Sequence, residues 1–294
     1  MPTQYALSEF ESNIRQKDII KARLVLANFN EYSPEVRKKL LFRLSKTEDI
    51  LCLRILSSLF KNRGDLFQTY PDLENIFSLK ARDNSGFLLD QLKPNTANLR
   101  GYAWIAGRTG MQEAANSLES LLYKVKDAHT LAHIVRALGE MGTVNNPGVL
   151  AELIFLEEKN ISRAAVRSLG RIGTPACLDI LVRALGRETE LDIIILDTLG
   201  ELETDTALER LNSLLRSSNP RIRNQAGDKL THIGSRAVPW LVDNLHTGDI
   251  DVQIQSLNIL SRIGDPVAVR PIMKLISRYP DDPNLRFAAY EALG

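Results

Sequence analysis

Apolar residues along most of the chain recur with the spacing of a helix face, and the pattern itself repeats. Each copy has an apolar residue, then a small or polar one, and often a glycine three places after that. The copies return at intervals of 30 to 33 residues and begin at Ala106, Leu138, Leu169, Leu199, Leu230, Leu260 and Leu293. A regular period of this length is the sequence signature of a repeat array.

Each period predicts a helical hairpin. In the sharpest copy Ile161, Ala165 and Leu169 follow one helix face, and residues 173–175, Gly-Thr-Pro, are typical of a turn before a new helix. After the turn the same spacing returns at Leu178, Leu181, Val182 and Leu185. No window shows the strict alternation of a strand. The pattern therefore predicts an all-α fold, an α–α superhelix of about six hairpins in one right-handed array with more than about 60% helix.

This hairpin resembles the HEAT repeat, in the short bacterial form found in proteins of the phycobilisome-lyase type. The run 222–226, Ile-Arg-Asn-Gln-Ala, leads to Leu230 and Gly234 and carries the resemblance, and similar runs lie at 164–170 and 285–294. The resemblance covers about two thirds of the chain. It implies a HEAT-repeat solenoid and is nearly silent on function, because such arrays serve many unrelated roles.

The first part of the chain is helical but off the period, and it holds most of the aromatic residues. We predict that residues 1–97 are degenerate hairpins that cap the array, and that residues 98–294 are HEAT-like repeats of which the last is incomplete. A separate helical domain, joined around residues 83–95, is the competing interpretation. Because the register stops at Leu293-Gly294, we also predict a fragment whose continuation holds the partner helix or a further domain C-terminal to residue 294.

Composition narrows the class of protein. The chain has 294 residues, 44% hydrophobic and 25% charged, which is typical of a soluble globular protein. Its net charge of +1 gives no overall positive potential that would attract nucleic acid. No apolar run is long enough to span a membrane, so we predict a cytoplasmic protein. Cys52 and Cys177 each lie alone in an apolar helical run, which predicts buried thiols in a reducing compartment.

Few residue patterns point to chemistry. His129 and His133, spaced i, i+4, would share a helix face, but a third metal ligand is not evident, and we predict polar surface or capping histidines. By resemblance, HEAT-type deoxyhypusine hydroxylases pair His directly with Glu, a dipeptide that this chain lacks. The glycines of the repeated motif do not follow strands and are interpreted as turn glycines. We therefore predict no catalytic residues, no metal and no cofactor.

Equivalent positions on the second helix of each hairpin predict a surface column. Opposite the apolar face of residues 174–187 lie Ile180, Arg183, Ala184 and Arg187, and steps of about 30 add Arg210, Ser213, Leu214, Ser217, Trp240, Asp243, Asn244, Thr247, Arg270, Met273, Lys274 and Ser277. The acids lie elsewhere, for example Asp192, Asp197 and Glu201 on a first helix. In HEAT-like solenoids the second helices line the concave side, so the resemblance implies a mildly basic groove.

The predicted partner-binding residues come from this column: Arg183, Arg187, Arg210, Trp240, Asp243, Arg270 and Lys274. Trp and Arg are enriched at the centres of interfaces. In the competing interpretation, Trp240 lies in a crevice between repeats and the arginines are solubility charges.

The leading functional hypothesis is a non-enzymatic scaffold that binds another protein or peptide, with acidic character, on the concave face. By resemblance, the alternative is a phycobilin lyase or isomerase subunit, which needs a tetrapyrrole-sized apolar pocket. A HEAT-like alkylpurine-DNA glycosylase ranks third because it needs a strongly basic groove, and the net charge of +1 argues against nucleic acid. No membrane partner is predicted.

Overall fold

The computed structural model describes residues 3–202, 204–279 and 281–294. Across these residues the regular structure is helical and no strand occurs. The prediction of an all-α fold built from helical hairpins is confirmed. None of the helices in this part of the chain is long and apolar enough to cross a bilayer.

The chain divides into two compact units. The first comprises residues up to 149 together with 156–168, and the second comprises residues 150–155 and 169–294. Helices of the first unit are α1 (Thr3–Arg15), α2 (Ile19–Ala27), α3 (Pro34–Ser45), α4 (Asp49–Arg63), α5 (Asp65–Thr69), α6 (Pro71–Asp83), α7 (Ser85–Gln91), α8 (Leu99–Thr109), α9 (Gln112–Leu122) and α10 (Ala128–Met141). Two helices, α11 (Gly148–Leu153) and α12 (Lys159–Ile172), have residues in both units.

Helices of the second unit are α13 (Pro175–Ala184), α14 (Thr189–Glu201), α15 (Asp205–Ser213), α16 (Pro220–Ile233), α17 (Val238–Asn244), α18 (Ile250–Ile263), α19 (Val269–Arg278) and α20 (Pro283–Ala292). Like helices stack on like: α14 packs on α16, α16 on α18 and α18 on α20, while α13 packs on α15 and α15 on α17. Each apolar stripe is thus buried between neighbouring hairpins.

Local sequence signals set the helix ends. Side chains of Asp127, Thr174, Thr204, Asp249 and Asp282 each accept a hydrogen bond from a first-turn N–H, as N-caps do. At the other end, Gly110, Gly142, Gly173 and Gly264 have φ between 65 and 68°, which only glycine adopts at little cost. For these glycines the expected role in turns is confirmed.

The other glycine of each repeated motif has a different role from the one predicted. Gly107, Gly139 and Gly170 lie inside α8, α10 and α12, where the following hairpin approaches closely. A Cβ at Gly107 would lie 3.0 Å from the Cα of Ala137, and one at Gly139 would lie 2.7 Å from the Cα of Ser168. Interpreting these residues as turn glycines was therefore wrong, because it is helix packing that excludes a side chain there.

A repeated tie joins three first helices of the second unit to the loops before them. The fourth residue of α14, α16 and α18 reaches back six positions. The carboxylate of Asp192 accepts from the N–H of Gly186 at 2.7 Å, and Arg223 donates to the carbonyl of Ser217 at 2.6 Å. Gln253 donates from its side-chain amide to the carbonyl of Thr247. The fourth residue thus differs in type between the three helices, but in each case its side chain bonds the backbone six residues before it.

Aromatic residues concentrate in the core of the first unit. The ring of Phe60 lies 5.1 Å from that of Phe67, 5.4 Å from that of Phe77 and 5.4 Å from that of Tyr102, and Trp104 meets Phe67 edge-on at 5.8 Å. These rings come from α4, α5, α6 and α8. The predicted boundary after residue 97, and the interpretation of residues 1–97 as a cap, stay predictions.

Both cysteines are buried, as predicted. Burial raises the pKa of the Cys52 thiol to about 12 and also raises the pKa of Cys177. Because the thiolate is the nucleophile, we expect iodoacetamide to leave both cysteines unmodified in the folded protein at neutral pH and to alkylate both in urea. Mass spectrometry of the two samples checks this, and rapid alkylation of Cys52 without denaturant would contradict the burial that the structure shows.

Candidate partner-binding surface

The predicted binding residues all lie on, or just beyond, the second helices of the second unit. We call the solvent-facing side of α13, α15, α17 and α19 the second-helix surface. The exposed members of the predicted set are Arg183, Arg187, Asp243, Arg270 and Lys274, and the half-buried members are Arg210 and Trp240. Trp240 therefore presents part of its indole to solvent, which is intermediate between the two alternatives that the sequence left open.

Arg210 is held by carboxylates of its own unit. Its Nε donates to Asp179 at 2.6 Å, and one of its terminal nitrogens lies 3.1 Å from Glu209. The hydrogen bond to Asp179 raises the pKa of Arg210. Its charge is thus already matched within the array, so Arg210 contributes less to a partner's field than the column predicts.

Arg187 is occupied in another way. Its guanidinium carbon lies 4.3 Å from the centre of the Phe155 ring, within the range of a cation–π contact. Phe155 remains partly exposed, so the pair presents an aromatic ring and a cation together at the α13 end of the second unit. The contact with Phe155 could not be read from the repeat, because Phe155 belongs to the irregular segment before α12.

One row of the predicted column is buried. Ala184, Leu214 and Asn244 were expected on the exposed side, and all three are buried, with 7% exposure or less. They lie at the ends of α13, α15 and α17, where the chain turns towards the next first helix. Asn244 is covered by Asn212 of the preceding hairpin and Ser256 of α18, which a projection of one isolated helix does not show.

A closed set of polar contacts forms where that row is buried. The side-chain amide of Asn244 donates to Asn212 at 2.7 Å and to Ser256 at 3.0 Å, and its oxygen accepts from Asn212 at 3.3 Å and from Arg216 at 3.1 Å. Both polar atoms of the Asn244 side chain are hydrogen-bonded, so Asn244 joins neighbouring hairpins and offers no free polar atom to a partner.

The helix α19 and the turn before it hold exposed apolar side chains. Met273 is 57% exposed and lies between Arg270 and Lys274, and Val267 is 71% exposed. Apolar side chains therefore stand in solvent beside two cations. The sequence pattern did contain Met273, but Val267 lies outside the helical spacing and was missed.

The two histidines considered as metal ligands do not form a site. His129 is exposed, and Nδ1 of His133 lies 2.8 Å from the carbonyl oxygen of His129. Within residues 3–202, 204–279 and 281–294 no three His, Cys, Asp or Glu side chains are placed to hold a metal ion.

One segment of the chain matches a known family. Residues 163–187 match the family model described as PBS lyase HEAT-like repeat. They span most of α12, the turn at Gly173 and α13. The hairpin is thus a HEAT-like repeat, and the resemblance seen in the sequence is confirmed there. No curated protein matches the chain in sequence.

Several solved structures are similar to the chain. They include an engineered protein at 16% identity, covering 97% of this chain and 88% of that one, with a TM-score of 0.47. The complex of CpcE and CpcF of phycocyanin lyase from Nostoc sp. PCC7120 is 16% identical, covering 70% and 92%, with a TM-score of 0.38. Human deoxyhypusine hydroxylase in complex with glycerol is 14% identical, covering 99% and 96%, with a TM-score of 0.31. Scores this low carry no information on function.

Proposed function

We propose that the chain is a non-enzymatic interaction scaffold that binds another protein through the second-helix surface of its second unit. The observation that carries the proposal is the exposed Met273 between Arg270 and Lys274, on a surface that also holds the half-buried Trp240. Met, Trp and Arg are enriched in interfaces relative to the rest of a protein surface.

The exposed charges indicate the chemistry of the partner. Among the predicted residues, Arg183, Arg270 and Lys274 are exposed cations and Asp243 is the one exposed acid, while Arg210 is matched by Asp179. Two further exposed acids, Asp205 and Glu209, lie on α15. A partner that fits this arrangement has an acidic surface and one apolar side chain that contacts Trp240 and Met273. Charged rims chiefly set the rate of association, and a partly exposed indole chiefly sets the lifetime of the complex.

The first step of the test is to identify the partner. A photo-crosslinking amino acid placed at Met273 labels whatever covers α19 in the source cells. The same crosslinker at Arg262, which lies exposed on the first helix α18, serves as the control for random collisions. A product formed at position 273 and absent at 262 supports the proposal.

With the purified partner, we expect Trp240→Ala and Arg270→Glu each to weaken binding at least tenfold, which corresponds to about 1.4 kcal/mol. The matched charge reversal Arg262→Glu on α18 is expected to change binding by less than twofold. Isothermal titration calorimetry at two salt concentrations measures both effects, and only the Arg270→Glu loss should shrink at high salt.

Because Trp240 is only half-buried, its replacement should lower the free energy of unfolding by less than about 2 kcal/mol. A larger loss in urea melts, together with unchanged binding by Arg270→Glu, would contradict the proposal and leave Trp240 as a packing residue.

The matched family is described as a PBS lyase HEAT-like repeat, so chromophore handling is the alternative function to be tested against the scaffold. The match covers the helices and turn of one hairpin and does not bear on activity. Mixing the protein with free phycocyanobilin tests this reading directly. A shifted bilin absorbance that survives Arg270→Glu would favour the lyase-like reading over the scaffold.

A further inference from the structure

A second surface, in the first unit, has the character of a binding site and does not depend on the second-helix surface. A groove of 790 Å³ runs between two stretches of chain, residues 94–100 and 124–130. The first stretch is the irregular loop before α8 with the first turn of α8, and the second is the turn after α9 with the first turn of α10. We call it the basic groove.

Cations dominate its lining. Arg100, Lys124, Lys126 and His129 line the groove and are exposed. Neither lysine side chain makes a hydrogen bond or ion pair with any residue that the structure describes. Two unmatched ammonium groups in the lining of one groove raise the local concentration of anions.

The one acid in the groove is Asp127, and it is already engaged. Its carboxylate accepts from the backbone N–H of Thr130 at 2.8 Å and from the hydroxyl of Thr130 at 2.5 Å. These hydrogen bonds, with the nearby charges of His129 and Arg100, lower the pKa of Asp127. Its charge serves the start of α10, so it offsets only part of the positive field.

The start of α8 adds to that field. Asn98 precedes α8 in the left-handed region, with φ of 63°, and its side chain does not cap the helix. The first turns of α8 and α10 both line the groove. Helix N-termini carry partial positive charge, so the start of α8, which has no side-chain cap, reinforces the cations Arg100, Lys124 and Lys126. The start of α10 is already capped by Asp127.

An apolar pocket opens beside the basic groove. It has a volume of 240 Å³ and is lined by Phe60, Gly101 and Trp104, with Gln68 and His133 among its polar residues. Asn98 and Arg100 line both cavities, so the two are adjacent. Trp104 is half-buried and faces this pocket with part of its ring. The volume suits one large apolar side chain.

We propose that the basic groove and the Trp104 pocket form one site for an acidic peptide segment of a partner protein. One apolar side chain of the peptide enters the Trp104 pocket, and carboxylates beside it pair with Arg100, Lys124 and Lys126. A peptide fits better than a nucleic acid because the cations cover a short stretch, Asp127 lies among them, and the chain has a net charge of only +1.

The test uses labelled synthetic peptides with the full chain. One probe holds a phenylalanine followed by a run of glutamates, a second replaces the phenylalanine by serine, and a third replaces the glutamates by lysines. Fluorescence anisotropy measures binding. We expect saturable binding of the first probe, at least tenfold weaker binding of the second, and none of the third.

The double variant Lys124→Glu/Lys126→Glu should bind the first probe at least tenfold more weakly than the wild type. A rise in salt concentration should weaken the binding of this probe to the wild type. The matched control is Lys38→Glu/Lys39→Glu, a reversal of two exposed lysines on α3 of the same unit that do not line either cavity. This control should change binding by less than twofold. Equal losses in the two double variants would overturn the proposal, because they would show attraction without a site.

Tryptophan emission gives an independent readout. The chain has two tryptophans, so a Trp240→Phe background leaves Trp104 alone. The first probe should shift the emission of Trp104, and the serine probe should not. Absence of saturable binding up to about 1 mM would overturn the proposal. So would an oligonucleotide that binds more tightly than the peptide through the same two lysines. Neither result bears on the second-helix surface.

Discussion

Replacing Asp192 by alanine is expected to lower the free energy of unfolding of the second unit by about 3 kcal/mol. Its carboxylate is fully buried at the start of α14, where it accepts from the N–H of Gly186 at 2.7 Å and from Arg221 at 2.5 Å. Arg221 also donates to the hydroxyl of Thr189. Alanine would remove the acceptor of the Gly186 N–H, leave the Arg221 guanidinium without its buried partner and open a small cavity, so three costs act together.

The matched control for this change is Asp197→Ala on the same helix. Asp197 pairs with Lys229 at 2.5 Å, the same kind of contact between α14 and α16, but both side chains are partly exposed. Exposed ion pairs contribute about 0.2–1 kcal/mol, so the control should cost less than about 1 kcal/mol. Urea melts followed by far-UV circular dichroism compare the two variants. Losses of equal size, or a loss at Asp192 that disappears in high salt, would show that burial of the carboxylate has no special effect.

This contrast shows how far the sequence reaches. The spacing of Leu178 and Leu181 predicted their burial, and Arg183 and Arg270 are exposed as the column indicated. Such positions follow from one helix alone, because the stripe that packs on the rest of the hairpin is set by the helical period. The helices themselves were predictable for the same reason.

Where the structure departs from prediction, a second hairpin is involved. From the spacing along its own helix, Asp192 is expected to be a surface acid. In the structure the preceding loop and Arg221 of the next hairpin enclose it. Asn244 reads as exposed, and Asn212 with Ser256 encloses it. A period gives the positions that are equivalent between repeats but not the distance between repeats, and that distance decides which polar side chains are buried.

The basic groove was beyond the reach of the pattern for a related reason. Residues 94–100 and 124–130 lie in turns and helix starts, where apolar spacing carries no information. Lys124 and Lys126 were visible only as two charges in a turn. Their relation to Trp104 depends on how α8 packs against α10, which the sequence does not specify.

Gly139→Ala is expected to destabilise the first unit by about 2 kcal/mol, although alanine favours a helix over glycine by about 1 kcal/mol. A Cβ at this position would lie 2.5 Å from Oγ of Ser168 and 2.7 Å from its Cα. Oγ of Ser168 donates to the carbonyl of Val135 at 2.8 Å, so the serine cannot move aside freely. Because a backbone atom is in the way, α10 and α12 must separate, and apolar contacts on either side are lost.

The control is the equivalent glycine two hairpins further along, Gly200 in α14. A Cβ there would meet the Lys229 side chain, with its Cδ at 3.2 Å, and a flexible methylene chain can swing away. Gly200→Ala should therefore be neutral or stabilise the protein by up to about 1 kcal/mol through helix propensity. The two variants make the same chemical change at the same repeat position, and urea melts should move in opposite directions. If both alanines stabilise the protein, close packing at Gly139 does not constrain the repeat, and glycine there has no structural cause in the helix contact.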